Sequence, residues 1–505
     1  MSIRKNSLFI SLGGGIRLLV NLAAIPLLIR LLGIDSYGVW VTINAQVGLF
    51  TLAEMGITTA LLNRLPGFLV KKDETGASRC LGTSFLLIAL FGLVASTVYY
   101  LISPLVATIY QGAILERGLL LSLRISSFII LPKLLVMYLT SIEAAHQRYD
   151  LQAIVDTLIT VLLQAGVVMI AWRNGGISTL FLWLLFSSLA GVLAHSIIIK
   201  KILHVRLASL AISKVEAGCQ WRFGLQHWVS SLGSSLFGQM DRILVNAILG
   251  SSASGVYAAV TSITIKINEL SALPIKVITP AVSAEKENGN YNRIQSIYNN
   301  ATITNGVIVL ILSLPIIYWY DLLFRLVFTG NMLGIPSTIL PFLACIYGTY
   351  SLAASGFYLL LGIGKPGVNA IWGFIGGTGM CLALILLSPI YGLQGAIWSN
   401  AVYILVVTTN FYGIKLIGAN FSNYFIQILR VILILIIWTI AAASGYIAVL
   451  PIGIRLIIFI LFSTVSICFA AGYARMKNFF HSIREHGLFF YINSEEIRVS
   501  QQERQ

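Results

Sequence analysis

Charge is scarce in this 505-residue chain: Asp, Glu, Lys and Arg together make up 10% of it. A water-soluble domain carries roughly 25%, so the water-facing surface of a soluble fold cannot be assembled from this supply. Cysteine is scarce too. The five cysteines show no CxxC or other metal-ligand spacing, which leaves neither a disulfide framework nor a zinc site. Most fall in apolar runs, where a thiol acts as a small hydrophobe. No Gly-rich phosphate loop is present, so ATP is not indicated as a direct energy source. Long hydrophilic connections are missing as well, and with them any room for a catalytic domain.

What the chain does have is hydrophobicity, 57% of residues, with a mean hydropathy of +0.89. Apolar runs of about 20 residues, each long enough for ~30 Å of hydrocarbon, recur from end to end. Backbone in lipid must satisfy its own hydrogen bonds, so these runs read as helices. The expected fold class is an all-α polytopic membrane protein of about 14 spans: 8–32, 37–62, 80–102, 118–141, 151–172, 177–199, 223–249, 254–282, 299–320, 336–361, 367–389, 393–415, 424–448 and 452–474. The first run is too long for a signal-peptide core of about 7–15 residues and reads as a retained helix.

Between these spans, 20 Lys and Arg fall on one side, both termini included, and three (Arg117, Arg173, Arg325) on the other. By the positive-inside rule the basic side is cytoplasmic, with both termini inside. The formal charge of +15 is thereby explained by anionic lipid headgroups rather than by nucleic acid.

The two halves match at a constant offset of 217 residues. The segment from Gly33 to Trp40, with Tyr37-Gly38-Val39-Trp40, aligns with Gly250 to Tyr257. In the same register Arg148 meets Lys365, Ala153-Ile154 meets Ala370-Ile371, and Gly175 meets Gly392. Six helices per half is an even number, so both halves insert in one orientation, as in carriers with parallel repeats. The expected organisation is an N-terminal six-helix lobe 1–199, a cytoplasmic linker 200–222, a C-terminal six-helix lobe 223–415, two additional helices in 416–474, and a cytoplasmic tail 475–505.

Charges at mid-bilayer are costly, roughly 2.5–3.5 kcal/mol each, and normally face protein or a water-filled cavity. Arg30, Lys415, Arg430 and Arg455 lie near span ends and read as snorkelling to headgroups. Arg17 lies deeper, on a narrow face with Asn6, Gly13, Asn21 and Ala24; this is either a cavity wall or a polar seam between helices. Lys266 shares a side with Glu269 and Lys276, and the first pair has i,i+3 spacing. Glu54 sits in the inner half of the second span near Asn44, Thr51 and Thr58. Gln226, Ser230, Gly233 and Asp241 line one side of the seventh. Arg124 is the better cavity candidate of its span, since Lys133 stands near the inner end, and Asp156 lies close to the cytoplasmic end of the fifth. The candidate substrate-binding set is therefore Arg17, Asn21, Arg124, Arg242, Lys266 and Lys276, with Glu54, Asp241 and Glu269 as candidates for a coupling H+ or Na+. A low-dielectric cavity of positive sign concentrates anions. Phosphate or pyrophosphate is the head group it suits.

On these residues the sequence resembles the polysaccharide and O-antigen flippases (Wzx type) of the multidrug/oligosaccharidyl-lipid/polysaccharide exporter superfamily. The matching pieces are Asn21 through Pro26 to Leu32-Gly33, Tyr37-Gly38-Val39-Trp40, Leu52-Ala53-Glu54-Met55-Gly56-Ile57-Thr58-Thr59-Ala60-Leu61, Asp241 before Leu249-Gly250, Gly255-Val256-Tyr257, Pro280, and Gly392-Leu393-Gln394-Gly395-Ala396. Family members usually carry Asp where this chain has Glu54. The resemblance implies a V-shaped cleft between two lobes and alternating access. It also implies a polyprenyl diphosphate-linked oligosaccharide as cargo, a bacterial inner-membrane location, and a polysaccharide polymerase and chain-length regulator as partners. Two rivals stand beside it. A drug or cation antiporter of the same superfamily calls for an acidic cavity, and an integral-membrane glycosyltransferase or polymerase calls for a substantial loop domain with a catalytic acid.

Overall fold

The computed structural model describes residues 3–110, 116–201, 211–328 and 337–471. The side chains of Asn6, Gln226 and Ser230 lie outside that description, as do residues 202–210 of the linker and the tail 475–505. Helices account for nearly all of the described residues, and no strand occurs among them.

The chain forms two compact units, residues 1–259 with 384–393, and 260–383 with 394–505. The first contains α1 (Ile3–Leu32), α2 (Ile34–Phe50), α3 (Ile57–Val70), α4 (Glu74–Ala107), α5 (Glu116–Ala145), α6 (Tyr149–Trp172), α7 (Ile177–Lys201), α8 (Lys214–Ser235) and the start of α9 (Asp241–Ile275). In it α5 packs on α4 and α7, and α1 lies along α6. Trp40 against Phe181, and Tyr99 donating to Gln46 at 2.7 Å, mark its centre.

The second unit continues α9 into α10 (Ile278–Glu287), α11 (Tyr291–Tyr318), α12 (Tyr320–Val327), α13 (Ile339–Ser351), α14 (Ala353–Gly362), α15 (Pro366–Ser399, apart from residues 384–393), α16 (Thr408–Leu416), α17 (Phe421–Ala443), α18 (Tyr446–Val449) and α19 (Ile452–Ala471). Its core gathers Val282, Ile294, Tyr298, Leu359, Ile414 and Tyr424. Asn410 sits at the heart of it, accepting from Tyr298 at 2.9 Å and Ser355 at 3.0 Å and donating to the Leu352 carbonyl at 3.0 Å. Buried polar groups of this kind require such complete pairing.

Among the described residues, 11 helices are long and apolar enough to cross a membrane, or 12 with the bent pair α2–α3. Fourteen were expected from sequence. The difference lies in two continuous helical stretches, Leu236–Glu287 of 52 residues and Pro366–Leu416 of 51. At 1.5 Å per residue each runs about 75 Å, more than two crossings, and each is bent at a glycine with positive φ, Gly250 (84°) and Gly392 (59°).

The backbone carries the repeat further than the residues do. Gly33 and Gly250, 217 apart, adopt φ of 79° and 84°. At the same offset Lys72 pairs with Gly289 (54° and 70°) and Gln147 with Gly364 (57° and 78°). The hydrogen bonds follow suit: Arg148 to the Glu143 carbonyl matches Lys365 to the Leu360 carbonyl, and Asp73 to Phe68 matches Asn290 to Glu285. Asp73 then caps α4 by accepting from Gly76, as Asn290 caps α11 by accepting from Arg293. The left-handed helix ending thus occurs at two equivalent points in each half, and at Asp73 and Asn290 a side-chain N-cap follows it.

Gly38 and Gly255, also equivalent, meet each other. A Cβ on Gly38 would strike the Ser251 carbonyl, and one on Gly255 would strike the Ile34 carbonyl. Ile34 and Ser251 are themselves 217 apart, so the contact is reciprocal. Only glycine permits backbones this close.

Candidate functional site

Four elements of the first unit contribute to its most polar interior. On α1, Arg17 Nη1 donates to Asp156 Oδ2 of α6 at 3.2 Å. About one turn further along α1 and two along α6, Gln164 donates to Asn21 at 2.8 Å. Asp156 also approaches His195 Nε2 of α7 at 3.4 Å, and His195 Nδ1 lies 2.9 Å from Glu143 Oε1 of α5. Glu143 and His195 are buried, whereas Asp156 and Arg17 keep 25% and 31% of their side chains exposed. The polar face of α1 is therefore a seam against α6, and Arg17 reaches the surface only in part.

Glu54 marks the second feature. The span expected as one helix over 37–62 is instead broken: α2 tightens into a 3-10 turn at Thr51–Glu54, Met55 and Gly56 take left-handed φ of 48° and 74°, and α3 departs with a bend of 46°. A Cβ on Gly56 would strike the Gly224 backbone of α8, so sterics require glycine at that crossing. Trp228 of α8 donates to the Leu52 carbonyl at 2.7 Å, which also accepts from the Met55 amide at 3.1 Å. The half-buried Glu54 carboxylate stands at this interruption and accepts from Thr58. Sequence alone showed Gly56 but not its backbone conformation.

Asp241 opens α9 directly after a π-type turn, Leu236–Met240, a local widening often found at functional positions. Its side chain is buried, accepting from the Arg242 amide at 2.7 Å and from Tyr257 at 3.1 Å. The Arg242 carbonyl accepts from Ser254 at 3.3 Å. Arg124, half-buried on α5, lies over the Tyr100 ring at 5.4 Å, a cation–π arrangement.

In the second unit Lys266 Nζ is 2.6 Å from Glu269 Oε2, so these two neutralise each other in part, and Lys276 is exposed. Of the cations assigned to span ends, Arg30 and Lys415 are exposed. Arg455 is different. It is 2% exposed, forks onto both oxygens of Asp321 at 3.0 and 2.6 Å, and stacks over Trp319 at 4.7 Å. Its reading as a snorkelling residue is corrected, because its partner lies 134 residues away in α12.

The structure thus joins Arg17 to Asp156 and Lys266 to Glu269, sets Asp241 beside Arg242, and leaves Arg124 and Glu54 in separate settings. Sequence reasoning missed Glu143 and His195. Each is an ionisable residue in or beside a strongly apolar segment, and that rarity was the available signal.

A family model described as polysaccharide biosynthesis protein matches residues 3–286. A curated relative, the uncharacterized membrane protein EpsK of Bacillus subtilis, is 28% identical over 185 residues, 35% of each chain. That match thus spans about a third of the relative's length. Among solved structures, lipid II flippase MurJ in an inward closed conformation superposes with a TM-score of 0.66 at 16% identity, covering 91% of this chain and 98% of that one. An inward-facing multidrug resistance MATE family transporter of the MOP superfamily gives 0.64 at 16% identity, covering 80% and 94%. At such identity the likeness is one of fold.

Proposed function

Because the chain belongs to the polysaccharide biosynthesis protein family, we propose that it is a flippase for a lipid-linked oligosaccharide. Membership of that family carries the reading, and the membrane-spanning fold it shares with MOP-superfamily transporters supports it. The cargo is a polyprenyl diphosphate-linked repeat unit of O-antigen or a similar surface polysaccharide, moved from the cytoplasmic to the outer leaflet of a bacterial inner membrane by alternating access. Arg17, Asn21, Arg124, Arg242, Lys266 and Lys276 are the residues assigned to the anionic head group. Arginine can hold a phosphate through two nitrogens at once, and lysine as a point charge.

A coupling H+ or Na+ is assigned to Glu54, Asp241 or Glu269. Glu54 is favoured among them, since an acid beside an interrupted membrane helix is the usual setting for an ion site. Deletion of the gene followed by mass spectrometry of lipid-linked sugars tests the function: the lipid-linked repeat unit accumulates, and its structure names the cargo. Full restoration of surface polysaccharide by a protein carrying both Arg17→Ala and Lys266→Ala would remove the assigned head-group role.

A further inference from the structure

The chain Arg17–Asp156–His195–Glu143 has more ionisable members than a helix seam requires. Both ring nitrogens of His195 face carboxylate oxygens, Glu143 Oε1 at 2.9 Å and Asp156 Oδ1 at 3.4 Å. A neutral imidazole has one N–H, so one of these contacts would set a lone pair against a carboxylate; only the imidazolium donates to both. In that state the four groups sum to zero charge, with Arg17 and His195 offsetting Asp156 and Glu143. Arg17 is the replaceable member. It touches Asp156 through one nitrogen, whereas Arg64 and Arg455 each hold their carboxylates, Glu216 and Asp321, through two. It is also the most exposed of the four.

We propose that these four residues form a proton-binding relay in which an anion engaging Arg17 is exchanged against Asp156, and the released Asp156 carboxylate takes up one proton. The inference rests on the reading of Arg17 as a contact for the diphosphate of the cargo. When the guanidinium turns to a diphosphate, Glu143, the imidazolium and Asp156 are left with one uncompensated negative charge, and a proton on an Asp156 oxygen restores neutrality. By linkage the coupling is reciprocal: the protonated relay binds the anion more tightly than the deprotonated one.

Among the described residues, other charged groups near the relay are few. The Arg148–Asp150 pair closes the turn between α5 and α6. Lys133 on α5 lies almost three turns from Glu143, α7 has no further ionisable residue before Lys200, and α1 has none between Arg17 and Arg30. His146, at the end of α5, is bonded to the Ile142 carbonyl at 2.9 Å.

The test uses the purified full chain in detergent, titrated with farnesyl diphosphate in weakly buffered solution containing a pH indicator, with binding followed separately by calorimetry. The expected result is uptake of close to one proton per diphosphate bound. Asp156→Asn, which keeps shape and hydrogen-bonding capacity, retains binding and loses the uptake; His195→Gln, which removes the imidazolium and leaves the Asp156 carboxylate as acceptor, retains both. Since either variant alone could fail to fold, each is accepted only if it elutes as the wild type does, and the wild-type measurement stands by itself. Binding without proton uptake overturns the relay and leaves the head-group reading intact. Absence of binding to wild type overturns both. Uptake that persists in Asp156→Asn overturns the assignment to these residues.

Discussion

The reciprocal glycine contact sets a measurable penalty. In Gly255→Ala the new methyl carbon would lie 2.5 Å from the Ile34 carbonyl oxygen and 3.2 Å from the Gly38 nitrogen. A close C···O approach is about 3.3 Å, so α2 and the start of α9 must part by roughly 0.8 Å. Both opposing atoms are backbone, and neither can rotate away. Overpacking of this kind costs about 1–3 kcal/mol, and Gly38→Ala, which drives a methyl into the Ser251 carbonyl, costs at least as much. Because either substitution opens the gap that the other needs, the double mutant should fall short of additivity by about 0.5 kcal/mol or more. Unfolding of the purified protein in mixed micelles, titrated with dodecyl sulfate, measures all three. Gly15→Ala is the control: nothing lies within 4 Å of its Cβ position, so it should be neutral or slightly stabilising. Strict additivity, or single mutants within about 0.5 kcal/mol of wild type, would mean that the two backbones do not touch at this crossing.

Other perturbations reach other parts of the chain. Gly56→Ala combines a left-handed backbone with a collision at Gly224; a loss of about 2 kcal/mol or more should show as a lowered thermal midpoint. Arg455→Ala leaves Asp321 without its partner, and breaking a buried pair costs about 3–5 kcal/mol; it should loosen α19, seen as faster proteolysis there. Burial works against the Asp321 charge, but Arg455 outweighs it and holds the carboxyl below the usual carboxylate range. A depressed folded-state value means that this stabilisation is fully present above the ordinary carboxylate value of about 3.9 and fades as pH falls through the folded one. The wild-type thermal midpoint should therefore drop on acidification below about pH 4 by more than that of Asp321→Asn. Cys219 is exposed on α8 while Cys80 is buried; an impermeant maleimide should label Cys219 in inside-out vesicles and spare it in intact cells. The opposite pattern would invert the proposed orientation.

The fold was legible because lipid imposes one rule on every span, and that rule is written in hydropathy, which needs no tertiary information. The site was less so. Periodicity placed Arg17 and Asn21 on one face, yet what that face meets is set by Asp156 and Gln164, some 140 residues on. Arg455 misled for the same reason, since Asp321 sits in a segment that reads as an outer loop. The break at Met55-Gly56 escaped because hydropathy does not distinguish a glycine within a helix from one that ends it. His195 and Glu143 were visible as residues; their convergence depends on how α5 and α7 pack.

The paired turns have a bearing on descent. Lys72 and Gln147 hold left-handed conformations that their counterparts Gly289 and Gly364 adopt at less cost. If the halves arose by duplication, the inherited trait at these points is the path of the backbone, and the side chain has drifted beneath it. Kinship between the halves is then better measured by torsion angles than by letters, and a comparison that scores identity will understate it.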